Sequence, residues 1–218
     1  MNLLKTRFFR HYKNKPYRFL GIVRHSETLE EMALYETLYA NEHGKLWVRP
    51  KEMFFENVTI AGVTQPRFRP IEFKFKNFSH ISEFILHEIE SIQKICIVKP
   101  DHQVNFMKDL EGKDNIHCQI VYDGQNAVAM KLGYALSHDR FFSWLDGVLP
   151  EFQGLGIAAE LMRKQHAWCA KQGFKSIETR TTNEFAKMIQ LNLANGFKIT
   201  GTLPNDGEIK IILEKDLS

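Results

Sequence analysis

The chain is poor in cysteine: among its 218 residues only Cys96, Cys118 and Cys169 occur, far apart and odd in number. Their spacing excludes a disulfide framework and a paired-cysteine metal site, and it suits a reducing compartment. They are expected as small core residues rather than nucleophiles, with Cys118, on an expected strand, the one left open. No apolar run approaches membrane-span length, and Met1-Asn2-Leu3-Leu4-Lys5 leads into charge instead of a signal-peptide core. A soluble, cytoplasmic protein that does not enter the membrane is therefore expected. Two familiar phosphate cradles are missing as well: there is no G-x-x-x-x-G-K-[ST], and no third glycine completes G-x-G-x-x-G after a strand.

What is present divides unevenly. Residues 1–70 hold 12 Lys/Arg against 7 Glu, a net +5, whereas residues 71–218 hold 17 against 19 Asp/Glu, a net −2. With prolines at 66 and 70 between them, this shift predicts two units, 1–70 and 71–218. The first 24 residues carry Lys5, Arg7, Arg10, Lys13, Lys15, Arg18 and Arg24 with no acid, interleaved with Phe8, Phe9, Tyr12, Tyr17 and Phe19. Cations beside aromatics can bind nucleic acid through phosphate neutralisation and base stacking. The commoner arrangement is aromatics forming a core under a solvated cationic face, which makes nucleic acid the less favoured partner.

Residues 17–23, 32–39 and 45–48 read as short strands punctuated by Asn41-Glu42-His43-Gly44 and by Pro50, Pro66 and Pro70, a small β unit. His25-Ser26-Glu27 are too close in sequence to assemble a catalytic triad and read as turn residues. Tyr17-Arg18-Phe19-Leu20-Gly21, His25 to Glu30 and Leu46 to Phe54 resemble a bacterial family of small domains of unknown function, over about residues 9–68. That resemblance implies a β-rich, barrel-like N-terminal domain and leaves its role open.

In the second unit, an alternating strand at 71–76 precedes a helix at 79–90 with Ile81, Phe84, Ile85 and Ile89 at helical spacing. A short strand is expected at 95–98 and a helix at 103–110. Residues 116–122, the Asp123-Gly124 turn and residues 127–136 form a hairpin leading into a strand at 141–149. Then comes Gln153-Gly154-Leu155-Gly156-Ile157-Ala158, opening a helix whose Ala158, Leu161, Met162 and Cys169 share a stripe and which stops at Gly173. Successive amides of such a loop add to the positive end of the helix dipole and can hold an anion. Residues 175–180 read as a parallel strand after this crossover helix. A helix opened by Asn183 and a final hairpin, 197–203 with 208–213, complete the chain.

Gln153-x-x-Gly156-x-Ala158, in this order of elements, resembles the [QR]-x-x-G-x-[GA] signature of the GNAT acetyltransferase superfamily, over about residues 71–215. The resemblance implies an α+β fold whose mixed, mostly antiparallel sheet contains one splayed parallel strand pair. It implies acetyl-coenzyme A as cosubstrate, bound by Val148, Gln153, Gly154, Leu155, Gly156, Ile157, Ala158 and Asn183, with no metal. The acceptor would be an amine on a small molecule or a protein. Asn183 is equally natural as a helix cap. Many members carry a tyrosine as general acid four residues before a Gly-Phe pair; here that position is Asn192, and counting forward from Asn183 gives Gln190. Asp146, the only ionisable side chain in 141–149 and on the same strand face as Val148, is the candidate catalytic base. His138, Asp139 and Glu151 are expected as solvated turn residues and His166 as structural. The competing reading is a non-catalytic acyl-coenzyme A sensor or a nucleic-acid module.

Overall fold

The computed structural model describes residues 7–39, 41–96, 104–205 and 207–217. They fall into two compact units: residues up to Phe73 together with Pro150–Leu155, and Lys74–Leu149 with Gly156–Ser218.

The first unit is built on strands β1 (Phe8–His11), β2 (Pro16–Arg24), β3 (Glu31–Thr37), β4 (Leu46–Pro50) and β7 (Phe68–Pro70), with helix α1 (Lys51–Phe55) and a separate hairpin of β5 (Asn57–Ile60) and β6 (Val63–Pro66). The sheet order is β4-β3-β2-β1-β7, each pair antiparallel. Period-two alternation turns Phe9, Phe19, Ala33 and Tyr35 to one face, where they pack with Phe54 of α1 and with Phe68. Phe54 and Phe68 stack with ring centroids 4.1 Å apart. The guanidinium of Arg49, on edge strand β4, lies 5.9 Å from the ring of Phe68 on the opposite edge strand, so the sheet curls toward a barrel. The expected aromatic core is therefore real, although β1 and α1 were not anticipated. His25 is a turn residue, its Nδ1 accepting from the amides of Glu27 and Thr28. The segment Pro150–Leu155 groups with this unit through Phe152, whose ring meets the Arg10 guanidinium at 4.4 Å and the Phe73 ring at 6.2 Å, and through Arg18, which donates to the Gly154 carbonyl at 3.3 Å.

The second unit contains β8 (Phe73–Phe78), α2 (Glu83–Cys96), α3 (Phe106–Asp109), β9 (His117–Asp123), β10 (Asn126–Ala135), β11 (Arg140–Val148), α4 (Ile157–Gln172), β12 (Ser176–Thr181), α5 (Ala186–Ala194), β13 (Lys198–Asn205) and β14 (Glu208–Asp216). Its seven strands follow the order β13-β14-β12-β11-β10-β9-β8. β11 and β12 pair in parallel, whereas β9/β10, β10/β11, β12/β14 and β13/β14 are antiparallel. Ile85, Ile89 and Ile92 of α2 face one side of the sheet, against Cys118, Ile120, Met130 and Leu132. The strand expected at 95–98 is corrected in part: Ile95 and Cys96 continue α2, because the apolar stripe from Ile85 runs on through Ile92, and 97–98 lie outside the described residues. Residue 103 of the expected 103–110 helix also lies outside them; α3 covers the middle of that stretch.

On α4 the buried positions Ile157, Leu161, Gln165 and Cys169 recur every four residues. The helix begins at Gly156 and ends at Gly173, both left-handed (φ 80° and 89°), a conformation that glycine adopts without the steric cost of a Cβ. Cys118 and Cys169 are buried, and burial pushes both thiols up to about 12, which removes them as nucleophiles at neutral pH. Among the described residues, no helix is long and apolar enough to cross a membrane, and no group of three or more His, Cys, Asp or Glu could hold a metal ion.

Candidate active site

The parallel ladder of β11 and β12 pairs Arg140 with Ser176 through Ser143 with Thr179, and stops there although β11 continues to Val148. Beyond that point β12 pairs only with β14, as far as Thr181. The two strands therefore part company over the second half of β11. The closed half is clamped by side chains: Thr179 Oγ1 donates to the Ser143 carbonyl at 2.9 Å, and the buried carboxylate of Glu178 accepts from Arg140 Nη2 and Arg180 Nε, each at 2.7 Å.

The phase of the β10/β11 ladder decides where backbone groups point. Leu149 N–H donates to the Val128 carbonyl at 3.0 Å. With Ala129 opposite Val148 and Lys131 opposite Asp146, the alternation makes both of these non-hydrogen-bonded pairs. The main-chain groups of Asp146 and Val148 are thus directed away from β10, toward the side on which β12 has diverged. On one face Gly147 lets α2 approach closely: a Cβ there would stand 3.1 Å from Cys96 Sγ and 3.2 Å from an Ile92 methyl.

β11 runs through a short 3-10 turn (Pro150–Phe152) into the glycine loop. Gly154 has φ 78° and Gly156 φ 80°, and a Cβ at either position would meet nothing within 4 Å. Phe152, Leu155 and Ile157 are buried and anchor the segment, whereas Gln153, Gly154 and Gly156 face outward. No side chain caps α4 at Gly156, so the amides of its first turn have no capping partner within the helix. A segment with left-handed glycines, open space before them and uncapped helix amides can receive an anion through the backbone.

Asn183 begins a 3-10 turn (Asn183–Phe185) whose capping residue is Thr182, and its side chain is exposed; no side-chain cap bond forms there or at the start of α5. Asn192 is buried, and its carbonyl accepts from Phe197 N–H at 3.1 Å.

Asp146 makes a contact that sequence reasoning did not identify. Its Oδ2 accepts from Lys131 Nζ at 2.9 Å; the Lys131 side chain is only 4% exposed and that of Asp146 28%. Around Lys131, between the sheet and α4, lies a polar layer. His117 stacks on Trp168 at 4.1 Å, and burial first, then the nearby Lys131 charge, holds it down to about 4. His166 is lowered to about 3 by burial, then by Lys215 and Lys131, and its Nδ1 lies 3.1 Å from Lys215 Nζ. Gln165 is fully buried, and its amide has no partner among the described residues. The Lys131 pairing could have been suspected from register alone, since a cation directly opposite an acid on neighbouring strands is a favourable cross-strand pair.

Residues 7–70 match a family described as protein of unknown function (DUF1653), and residues 84–197 match the acetyltransferase (GNAT) family. No curated protein matches the chain. Among solved structures, the ribosomal-protein-S18-alanine N-acetyltransferase from Escherichia coli is 15% identical, with TM-score 0.57 over 66% of this chain and 95% of its own. Ard1 from Thermoplasma volcanium is 18% identical, with TM-score 0.55 over 66% and 97% of the two chains. An aminoglycoside 6′-N-acetyltransferase complexed with coenzyme A is 12% identical, with TM-score 0.55 over 66% and 97%. At these identities the structures show a shared fold, and the family match covers just over half of the sequence. The chain therefore belongs to the GNAT acetyltransferase family and is an acyl-coenzyme A-dependent N-acetyltransferase.

Proposed function

We propose that the protein transfers an acetyl group from acetyl-coenzyme A to a primary amine, with the loop at 153–158 receiving the pyrophosphate and the opened side of β11 receiving the pantetheine arm. The observation that carries this reading is the end of the β11/β12 ladder at Ser143 and Thr179, before a strand end that leads directly into two left-handed glycines. The fit is good: backbone amides supply the donors, and the space in front of Gly154 and Gly156 is open. A structural neighbour is described with coenzyme A bound, which supports the same cosubstrate here. In this assignment Gln153, Gly154, Leu155, Gly156, Ile157 and Ala158 form the phosphate loop, and the exposed Asn183 meets the pantetheine chain.

When bound, acetyl-coenzyme A supplies an activated acyl group; the chain supplies position, a donor and a base. In this reading the amide of Val148, directed to the open side of β11, would be the donor toward the thioester carbonyl oxygen. The carboxylate of Asp146, two residues earlier, attracts an ammonium and takes the proton that the amine must lose before it attacks. Asn192 and Gln190 cannot serve as acids, so the proton for the leaving thiolate would come from water or from another residue of the chain.

A second reading of Asp146 is favoured by its bond to Lys131: the carboxylate is the counter-ion of a buried ammonium and acts on the sheet rather than on the amine. The phosphate loop is tested by calorimetric titration of acetyl-coenzyme A. Gly156→Glu, which adds bulk, a carboxylate and a disfavoured backbone conformation, is expected to abolish binding, and affinity equal to the parent would overturn the assignment. Thiol release across an amine panel identifies the acceptor; binding without thiol release from any amine would count against a primary-amine acceptor.

A further inference from the structure

Strand alternation gives the N-terminal sheet two faces. Phe9, Phe19, Ala33 and Tyr35 line the inner one, against Phe54 and Phe68. Register places Arg18 opposite Phe8 on β1 and opposite Glu36 on β3, while Arg10, two residues along from Phe8, stands opposite Pro16. Side chains paired across neighbouring strands share a face, so Phe8, Arg10, Arg18 and Glu36 belong to the outer one. Two of these four reach the segment Pro150–Leu155, which groups with this unit. The Arg10 guanidinium lies 4.4 Å from the centroid of the Phe152 ring, and Arg18 Nη2 donates to the Gly154 carbonyl at 3.3 Å.

Both contacts are held firmly from the sheet side. Arg10 and Phe152 are only 5% and 6% exposed, a cation and a ring covering each other. Arg10 Nη1 donates to Asn14 Oδ1 at 2.9 Å, and the Phe73 ring meets that of Phe152 edge-on at 6.2 Å. Arg18 is steadied by Glu36, whose Oε2 lies 3.6 Å from its Nη1, and by the Phe8 ring, 5.9 Å from the guanidinium. Peptide planarity gives the Arg18 bond a consequence. The Gly154 carbonyl and the Leu155 N–H belong to one trans peptide and point in opposite directions. With the carbonyl bonded to Arg18, the Leu155 N–H is turned away from Arg18. Gly154, at φ 78°, is a residue type with more backbone freedom than any other, so its carbonyl is where a fixed bond removes the most motion from the loop.

We propose that Arg10 and Arg18 brace the phosphate loop: by anchoring Phe152 and Gly154 they set the loop amides before acetyl-coenzyme A arrives. The inference rests on the assignment of the loop at 153–158 to the pyrophosphate. Arg10 and Arg18 are positioning residues that act through the loop, since Arg18 engages a carbonyl while the amide of the same peptide faces the other way. A loop already held in its binding conformation loses less conformational entropy when the ligand arrives, so the brace raises affinity without touching the cosubstrate. This gives a role to residues of the family of unknown function, and a use for two cations of the basic, aromatic run near the start of the sequence.

The test uses the full chain and compares the parent with Arg18→Met, Arg18→Lys and Phe152→Leu. Arg18→Met keeps most of the stem and removes the donor. Calorimetry should show acetyl-coenzyme A bound about five- to tenfold more weakly by Arg18→Met and Phe152→Leu, the scale of one hydrogen bond, with part of the loss recovered in Arg18→Lys. Amide hydrogen exchange across 150–158, followed without ligand, should be faster in Arg18→Met and Phe152→Leu than in the parent. A contact that only stabilised the fold would lower Tm and leave affinity at the parental value, and that result would overturn the brace. Weaker binding with unchanged exchange would overturn it too, by making Arg18 a direct ligand. Should Phe152→Leu misfold, Arg18→Met, at a side chain 32% exposed, still decides. Gly156→Glu in the same titrations separates the two failures. Binding abolished there but parental in Arg18→Met refutes the brace alone, whereas binding retained in Gly156→Glu refutes the loop assignment and the brace with it.

Discussion

Replacing Asp146 by Asn separates two roles for one carboxylate. Lys131 Nζ is bonded to Asp146 Oδ2 at 2.9 Å, and the Lys131 side chain is 4% exposed. The substitution leaves that ammonium buried without its anion, and removing one partner of a buried pair costs about 3–5 kcal/mol. The Asp146 side chain is 28% exposed, so water offsets part of the loss and about 2–3 kcal/mol is expected. For a unit of this size each kcal/mol corresponds to about 2–4 °C, so Tm should fall by roughly 4–12 °C in a calorimetric scan. Lys131→Met in the same chain removes the stranded charge, and the double variant should recover most of the loss. Catalysis responds differently. If Asp146 is the base, kcat falls by about a hundredfold in Asp146→Asn, acetyl-coenzyme A affinity stays unchanged, and Lys131→Met does not restore the rate. An unchanged Tm would refute the buried pair, whereas an unchanged kcat in folded protein would refute the base.

His117 and His166, held neutral by burial and titrating at about 4 and 3, take up protons more weakly than in the unfolded chain, where the ordinary value is 6.5. Their stabilisation is therefore complete above about pH 6.5 and is lost as pH falls toward 4; urea midpoints should show a loss of about 2 kcal/mol per histidine at pH 5. His117→Phe should flatten that dependence. Gly133→Ala should cost about 1–3 kcal/mol or more, since its Cβ would stand 2.4 Å from the Phe142 carbonyl and 2.5 Å from the Phe141 ring. Gly201→Ala, with nothing within 4 Å, is the matched control and should be nearly neutral in the same denaturation assay. A fragment starting at Lys74 lacks Arg10, Arg18 and Phe73, the partners of Phe152 and Gly154, and should bind acetyl-coenzyme A more weakly than the full chain when the two are titrated side by side.

Local physics made much of this protein readable from the sequence alone. Glycines 154 and 156 announced a tight loop into a helix, and the stripe of Ala158, Leu161, Met162 and Cys169 announced the helix itself. The hairpin of β9 and β10 was legible from Asp123-Gly124 and from the apolar runs on either side. The strand expected at 95–98 failed at Ile95 and Cys96 for the opposite reason: so short an apolar run does not fix its own conformation, and packing of α2 against the sheet carried both residues into the helix. Other features depend on residues distant in sequence. Lys131 reaches Asp146 only because the ladder sets them opposite each other. Pro150–Leu155 belongs with the first unit only because the Phe152 ring finds Arg10 and Phe73. Arg49 is an ordinary strand residue until β3 and β4 pair and the sheet curls to bring its guanidinium 5.9 Å from the Phe68 ring. Backbone conformation is chosen within a few residues and leaves its mark on the sequence, whereas a charge or a hydroxyl acquires its partner from register and packing, which depend on the whole sheet at once.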